Sequence, residues 1–297
     1  RANLKDYPGV KIVSGAYEDT IDELLKNKGG CNVFLYIDPY GIKALNCLKF
    51  DEFANGQFNS IELLINMNSF GFIREGCRVM GKQFMIDDDS FFDDLVEYEP
   101  TRLDASDKSV QALNQIAGGD YWKPIIEQYI SGKIDGYKAE EYFSEQYCQR
   151  LSQTFTYVLN MPIRIKKGQH TKYRMIHATN HPDGCVLMAD NICNRWELMK
   201  QLQTGGVDNQ IISEGEIQNN VIEHFSQCYS WTSLNEALAV FFVKYGAICK
   251  SGDIAKILKK LEKDKRLAVM RNPSLTVKGK PSTFMTEGHG KTVSVKW

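Results

Sequence analysis

The chain has 297 residues, of which 43% are hydrophobic, 25% charged and 11% aromatic, and its formal net charge is −1. This composition indicates a globular protein with a large core, and so many aromatic residues exclude general disorder. The longest apolar stretches fall well short of the roughly 20 residues that cross a bilayer, so we expect no membrane span.

Three strand-like segments alternate with helix-like segments at the start of the chain. They are residues 10–14, 32–37 and 61–67, and residues 32–37 (NVFLYI) form a continuous apolar run. Such a run is typical of a strand that is buried on both faces of a parallel sheet, and we interpret residues 61–67 (IELLINM) as a third buried strand. With helical crossovers between them, they predict a doubly wound, mostly parallel α/β sheet.

A helical insertion and a hairpin are expected next. Apolar spacing predicts helices near residues 111–116, 121–130 and 139–152, inside an insertion that spans about residues 85–152. Residues 155–166 and 172–178 are strand-like and are joined by a short turn, which predicts an antiparallel terminal hairpin. A helix over residues 184–203 follows, and we place the end of the α/β domain at residue 215.

Residues 216–297 are expected to form a separate basic domain. From Lys244 to Trp297 the chain holds 13 Lys and Arg against 4 Asp and Glu, a net charge of +9, whereas the preceding residues carry a net −10. Helices followed by a basic hairpin resemble a winged helix. Such charge favours DNA or RNA, although solvated lysines or a protein-docking module are alternatives. The predicted nucleic-acid contacts are Lys259, Lys260, Arg271, Lys278 and Lys280.

Asp38, Pro39 and Tyr40 directly follow the strand-like run 32–37. Side chains at the carboxyl end of a parallel strand line the crevice in which such sheets bind ligands. There, Asp38 can accept a hydrogen bond from a substrate amine and Tyr40 can stack on a flat ring, as amino-methyltransferases do with an extruded base. An ordinary strand-end turn is the alternative, because Asp, Pro and Gly are common turn residues.

Asn66 and Arg74 flank the carboxyl end of the third strand-like run, so both can point into the same crevice. The Arg74 guanidinium suits a phosphate or a carboxylate of a ligand. An ion pair with Glu75 or Asp51 is an equally good interpretation of Arg74.

Thr179, Asn180 and His181 follow the later strand-like run and are further candidates for the ligand crevice. The alternative is a polar turn that caps the next helix, with His177 in or near the core.

No metal site is predicted. His177, His181, Cys185 and Cys193 are metal-ligating residue types, but their spacing fits neither a helix face nor a zinc knuckle. The eight cysteines form no C-x-x-C pair, so we expect reduced, partly buried thiols in a cytoplasmic protein.

Residues 34–41 (FLYIDPYG), 64–68 (LINMN) and 173–182 (YRMIHATNHP), together with Arg74, resemble the three-Cys-motif partner family, TcmP. Members of this family are similar in fold to class I S-adenosylmethionine (SAM) methyltransferases. The resemblance implies that the three strand-like runs are the third, fourth and fifth strands of such a sheet. It also implies SAM as a cofactor, with Gly15, Tyr17 and Asp19 beside it, and a radical-SAM-like partner that carries the three-cysteine motif.

The chain also departs from the pattern that the resemblance implies. The Gly-rich loop and the ribose-binding acid of the first two strands would lie before Arg1, so the α/β domain is expected to be N-terminally incomplete. Ala16 stands where related enzymes often have an acid, and Tyr40 stands where the amino-methyltransferase signature has a second Pro. Two functions stay open: a SAM-dependent methyltransferase-like protein acting on or with nucleic acid, or a non-catalytic scaffold of that shape that binds a partner protein or nucleic acid.

Overall fold

The computed structural model describes residues 13–39, 41–85, 107–163, 171, 173–202 and 213–297. The helices in this part of the chain are α1 (Tyr17–Leu25), α2 (Cys47–Ala54), α3 (Ser69–Val79), α4 (Asp107–Ala117), α5 (Trp122–Ile130), α6 (Gly136–Leu151), α7 (Pro182–Leu202), α8 (Glu214–Phe225), α9 (Leu234–Tyr245) and α10 (Ser251–Lys263). The strands are β1 (Asn32–Ile37), β2 (Ser60–Met67), β3 (Tyr157–Ile163), β4 (Tyr173–Thr179), β5 (Thr232–Ser233), β6 (Ala268–Asn272) and β7 (Thr292–Lys296). Within these residues, no helix combines the length and apolarity that crossing a membrane requires.

Four strands form a mixed sheet in the order β1–β2–β4–β3. β1 pairs parallel with β2, whereas β4 pairs antiparallel with both β2 and β3. The mixed α/β class and the antiparallel pair at one edge are therefore confirmed. The prediction of a mostly parallel sheet is wrong for these strands, because β4 enters the sheet between β2 and β3 in the opposite direction.

The strand predicted over residues 10–14 is not seen in the described part of the chain. Residues 10–12 lie outside that part, and Val13 and Ser14 precede α1 without belonging to a strand.

The first hydrophobic core lies on one face of this sheet. Alternate residues of β2 (Ile61, Leu63, Ile65 and Met67) point into it, because successive side chains of a strand face opposite ways. Helices α1 to α6 cover this face, including α4, α5 and α6, which lie in the region predicted as a helical insertion. The opposite face of β1 and β2 stays partly exposed, and this face carries the candidate site.

A second core joins β3 and α7 to the C-terminal elements. There, β5, β7 and β6 form a small antiparallel sheet, and α9 packs against α7 and β3. Asp190 on α7 accepts hydrogen bonds from the Ser251 amide (2.7 Å) and hydroxyl (2.6 Å) at the start of α10. The basic C-terminal region is thus packed against α7, and α9, which leads into it, packs against β3.

Candidate functional site

Asp38 and Asn66 meet where the parallel strands β1 and β2 end. Ile37 lies opposite Ile65 in the strand pairing. Asp38 and Asn66, which directly follow these two residues, therefore lie side by side. The Asn66 amide nitrogen donates a hydrogen bond of 2.9 Å to Asp38 Oδ1, and the Asp38 side chain stays exposed. The structure therefore brings together two of the residues predicted to share a crevice.

Tyr36 adds a phenol to the same face of β1, two residues before Asp38. Partial burial and the negative charge of Asp38 raise the pKa of Tyr36 above its ordinary value, so this phenol stays protonated at neutral pH. Pro39 is half-buried, and Tyr40 lies outside the described residues. An ionised carboxylate offers about four lone-pair positions, so Asp38 can accept from a ligand while it holds Asn66.

Arg74 is exposed on the second turn of α3, the helix that leaves the carboxyl end of β2. Neither predicted ion pair forms. Glu75 pairs with Arg78 at 2.6 Å, and Asp51 pairs with Arg150. Among the described residues no carboxylate pairs with the exposed Arg74 guanidinium.

Thr179, Asn180 and His181 do not lie in the Asp38 crevice, and that prediction is wrong. Thr179 lies opposite Glu62, whereas Met175 lies opposite Asn66, so four residues of β4 separate the two places, about 13 Å. The antiparallel direction of β4 brings these residues to the amino end of β2.

The interpretation of this segment as a helix-capping turn is confirmed. His181 Nδ1 accepts a hydrogen bond from the Asp183 amide at the start of α7, and the Thr179 hydroxyl accepts one from the His181 amide. Asn180 accepts from the Thr156 amide at 2.7 Å. His177 is completely buried, as expected.

Sequence reasoning missed a pair between His177 and Glu62. His177 Nε2 lies 3.2 Å from Glu62 Oε2, and the carboxylate borders an open groove of about 400 Å³. The groove lies between the amino ends of β1 and β2 and the first turns of α7, and the Phe34 ring also lines it. The sequence indicates a buried strand over residues 61–67, but the period of two in β2 puts Glu62 on the face opposite Leu63, where a charged side chain can reach a groove.

The three residues that the resemblance implies to lie beside SAM are found at the start of α1. Gly15 precedes the helix, Asp19 is exposed in its first turn, and the Tyr17 hydroxyl is buried with no hydrogen-bond partner among the described residues. Burial raises the pKa of Tyr17 well above its ordinary value, with smaller contributions from Glu18 and Asp22. The orphaned hydroxyl fits a ligand contact, but no hydrogen bond or ion pair of the described residues joins α1 to Asp38.

No set of three His, Cys, Asp or Glu side chains in the described part of the chain is placed to hold a metal ion. Burial, with a smaller contribution from the charge of Glu62, raises the pKa of Cys185 to about 12. Burial, with smaller contributions from nearby charges, likewise raises the pKa of Cys193 to about 12. Both thiols therefore stay protonated at neutral pH, and all eight cysteines are free thiols, as predicted.

Four of the five predicted nucleic-acid contacts are exposed and have no ion pair with a described residue. They are Lys259, Lys260, Lys278 and Lys280. Arg271 differs, because its guanidinium pairs with both oxygens of Glu262 at 2.7 and 2.6 Å and donates to the Phe284 carbonyl. Its side chain is only 10% exposed, so Arg271 ties α10 to the β6–β7 region and is not free to bind phosphate.

No protein-family model, curated protein or solved structure matches this chain. The interpretation of the site therefore depends on the geometry and chemistry of these residues.

Proposed function

We propose that this protein is a SAM-dependent, methyltransferase-like protein that acts on or with nucleic acid, beside a radical-SAM-like partner. One observation carries the proposal: the exposed Asp38 carboxylate, oriented by Asn66, lies where two parallel strands end. That edge is where open α/β sheets bind their ligands.

The strand order supports the resemblance to class I methyltransferases. If β1 and β2 are the fourth and fifth strands, the antiparallel pair that ends such a sheet should follow β2. β4 and β3 occupy that place, in the order β1–β2–β4–β3.

In this proposal Asp38 accepts a hydrogen bond from the exocyclic amine of a nucleobase and so polarises the amine nitrogen that takes the methyl group. The Asn66 side chain fixes the carboxylate in that orientation. SAM, when bound, supplies the methyl group. Gly15, Tyr17 and Asp19 remain the proposed residues on its side of the site.

The C-terminal elements are proposed to be a winged-helix-like module that holds the nucleic acid. α10 exposes Lys259 and Lys260 on one face, and the connection between β6 and β7 exposes Lys278 and Lys280. Lysines without carboxylate partners are suited to binding a phosphate backbone.

The test of the Asp38 role is methyl transfer from labelled SAM to DNA or RNA, with the radical-SAM-like partner present. We expect Asp38→Asn to lower the rate by about 100-fold or more, the usual loss for a positioned acid or base. The matched control is Glu127→Gln, an exposed carboxylate on α5, outside both the proposed site and the basic region. An equal rate for Asp38→Asn and wild type would contradict the role of Asp38.

We expect nucleic-acid affinity to fall steeply with salt, because bound lysines release counterions from the phosphates. Replacing Lys259 and Lys260 together by Ala should reduce the slope of log affinity against log salt by about 2. The control is Lys123→Ala on α5, far along the chain from the basic region. An affinity that does not change with salt would identify this region as a protein-docking module instead.

A second candidate function is a non-catalytic scaffold. The observation that favours it is the groove beside Glu62, which lies at the amino ends of β1 and β2, away from Asp38. Stable co-purification with a radical-SAM-like partner, without methyl transfer by either protein, would support this candidate. Failure to bind any partner would count against it.

A further inference from the structure

The connection between β6 and β7 ends in a well-defined turn, which we call the hairpin tip (residues 273–281). All of these residues are exposed. At the apex the Gly279 amide donates to the Thr276 carbonyl at 2.8 Å, and the Thr276 amide donates to the Lys280 carbonyl at 2.7 Å. Gly279 has a φ of 71°, which glycine adopts without strain. The main chain therefore holds the hairpin tip in one shape, although no other element covers it.

Val277 lies at the apex of the hairpin tip, and its side chain is completely exposed. Turn positions of this kind usually hold Gly, Pro, Asn, Asp or Ser, whereas valine has a stiff, β-branched apolar side chain. A single exposed apolar side chain is common on protein surfaces. Val277 differs from such cases, because the turn fixes its position and the exposed Lys278 follows it directly.

The charges around the hairpin tip are all positive along the chain. No Asp or Glu lies between Asp264 and Glu287, whereas this stretch holds five basic residues. Among the described residues, no carboxylate pairs with Lys278 or Lys280. The hairpin tip therefore presents an apolar group beside two cations, and a ligand with anionic groups next to an apolar surface would complement it.

The base of the connection is fixed to the basic helix α10. Arg271 pairs with both oxygens of Glu262 in the last turn of α10, at 2.7 and 2.6 Å, and donates to the Phe284 carbonyl at 2.6 Å. The exposed Lys259 lies one turn before Glu262. Six residues separate Arg271 from Val277, which span at most about 20 Å. The lysines of α10 and of the hairpin tip thus belong to one positive surface.

Duplex DNA has the chemistry that this surface requires. Proteins that kink DNA insert an apolar side chain between base pairs from the minor groove, while basic side chains bind the phosphates. Double-stranded RNA has a wide, shallow minor groove and is recognised in other ways. A lipid surface fits less well, because Val277 and the half-exposed Leu275 are together far smaller than a myristoyl chain, which alone gives only marginal membrane binding.

We propose that the hairpin tip enters the minor groove of duplex DNA, where Val277 inserts between neighbouring base pairs and kinks the duplex. Lys278 and Lys280 bind the phosphates beside the kink. This inference rests on the proposed nucleic-acid role of the basic region, and it adds the class of nucleic acid and the change in its shape. It involves neither Asp38 nor SAM, so it does not depend on methyl transfer.

The test uses the whole protein and a DNA duplex of about 30 base pairs with a central TA step, because such steps unstack readily. Fluorophores at both ends report the bend by energy transfer. We expect the wild type to bend the duplex by at least about 20°. Val277→Thr keeps the shape of the side chain but adds a hydroxyl, so it should abolish the bend and weaken binding by about tenfold. The dependence of its affinity on salt should not change, because no phosphate contact is lost.

The matched control is Val240→Thr, the same substitution at an exposed valine of α9, which should bend and bind the duplex as the wild type does. Because the Val277 side chain is completely exposed, Val277→Thr should also fold normally, which circular dichroism checks. Replacing Lys278 and Lys280 together by Ala should instead reduce the slope of log affinity against log salt by about 2.

A straight duplex bound by the wild type would overturn this inference and leave the proposed nucleic-acid role intact. An equal bend with Val277→Thr and with the wild type would also overturn it. No binding of duplex DNA would remove both this inference and the binding of DNA by the basic region. Binding to phosphatidylserine vesicles but not to DNA, lost in Val277→Thr, would identify a lipid surface as the ligand instead.

Discussion

A buried ion pair links the helical region to the sheet. The Arg174 guanidinium on β4 donates to both oxygens of Glu140 on α6, at 2.6 and 2.8 Å, and both side chains are almost completely buried. The Ser69 hydroxyl at the start of α3 donates to the same carboxylate at 2.6 Å. Three elements that are distant in sequence, α3, α6 and β4, therefore meet at the Glu140 carboxylate.

Removing one partner of this pair should be costly, because the other charge stays buried and unpaired. We expect Glu140→Gln to lower the free energy of unfolding by about 3–5 kcal/mol, measured by urea denaturation. The neighbouring Glu141→Gln breaks an exposed pair with Lys138 and should cost far less, because solvent screens the charges of exposed pairs. Similar losses for both variants would mean that the buried pair has no special role in stability.

The buried His224 should make the stability of the protein depend on pH. Burial lowers the pKa of His224 below its ordinary value of 6.5, and the positive charge of Lys244 lowers it further. The hydrogen bond to the Ala237 carbonyl and the negative charge of Glu223 raise this pKa, but by less than burial lowers it. The unfolded state therefore binds a proton at higher pH than the folded state does. This contribution to stability is complete above about pH 6.5 and is lost as the pH falls from there through the lowered folded pKa.

Urea denaturation between pH 7.5 and pH 5, values that bracket the ordinary His pKa of about 6.5, tests this expectation. His224→Gln keeps a donor for the Ala237 carbonyl but does not titrate, so its stability should fall less over this range than that of the wild type. His289→Asn, at an exposed position, should follow the wild type. Identical pH dependence of wild type and His224→Gln would contradict the burial argument.

The amino end of α10 is capped by a residue from another helix. Lys250 precedes α10 without a side-chain cap, and Asp190 of α7 binds the first amide of the helix instead. The carboxylate also faces the positive end of the α10 dipole. This cap joins the basic helix to the α/β region.

Asp190→Ala should lower the free energy of unfolding by about 0.5–2 kcal/mol, as for other lost helix caps. Thermal or urea denaturation measures the change. Asp264→Ala, at the negative end of the same helix, should be neutral or slightly stabilising. A neutral Asp190→Ala would show that solvent caps α10 equally well.

The sequence predicts where strands lie better than which strands pair. Strand-like segments locate β1 and β2 to within a residue, and one of the two interpretations of the residues after Thr179, the helix-capping turn, is confirmed. The antiparallel pairing of β4 with β3 is expected from the short turn between them, whereas the pairing of β4 with β2 depends on contacts between segments that are distant in the chain. The Glu62–His177 pair spans 115 residues and was hidden for the same reason.

Arg271 is a charged side chain whose partner could not be predicted from the sequence. A count of basic residues treats every lysine and arginine of the region as available to phosphate. Glu262, nine residues earlier, removes Arg271 from that set, and only the packing of α10 against β6 brings the two together.

The two edge strands of the four-stranded sheet have different surroundings. α9 packs against β3 and α7, whereas β1 lies at the other edge of the sheet with Asp38 at its carboxyl end. Three strand spacings, about 14 Å, separate β1 from β3. The proposed chemical site therefore lies on the β1 side of the sheet, whereas α9, which leads into the basic region, packs on the β3 side.

We propose that this protein works with SAM, and calorimetric titration with SAM of the full-length protein, including any residues before Arg1, is the experiment that decides it. We expect saturable binding of one SAM per chain, with no binding of an equal concentration of methionine. No binding of SAM to full-length protein that is folded by circular dichroism, with or without the radical-SAM-like partner, would contradict the proposal.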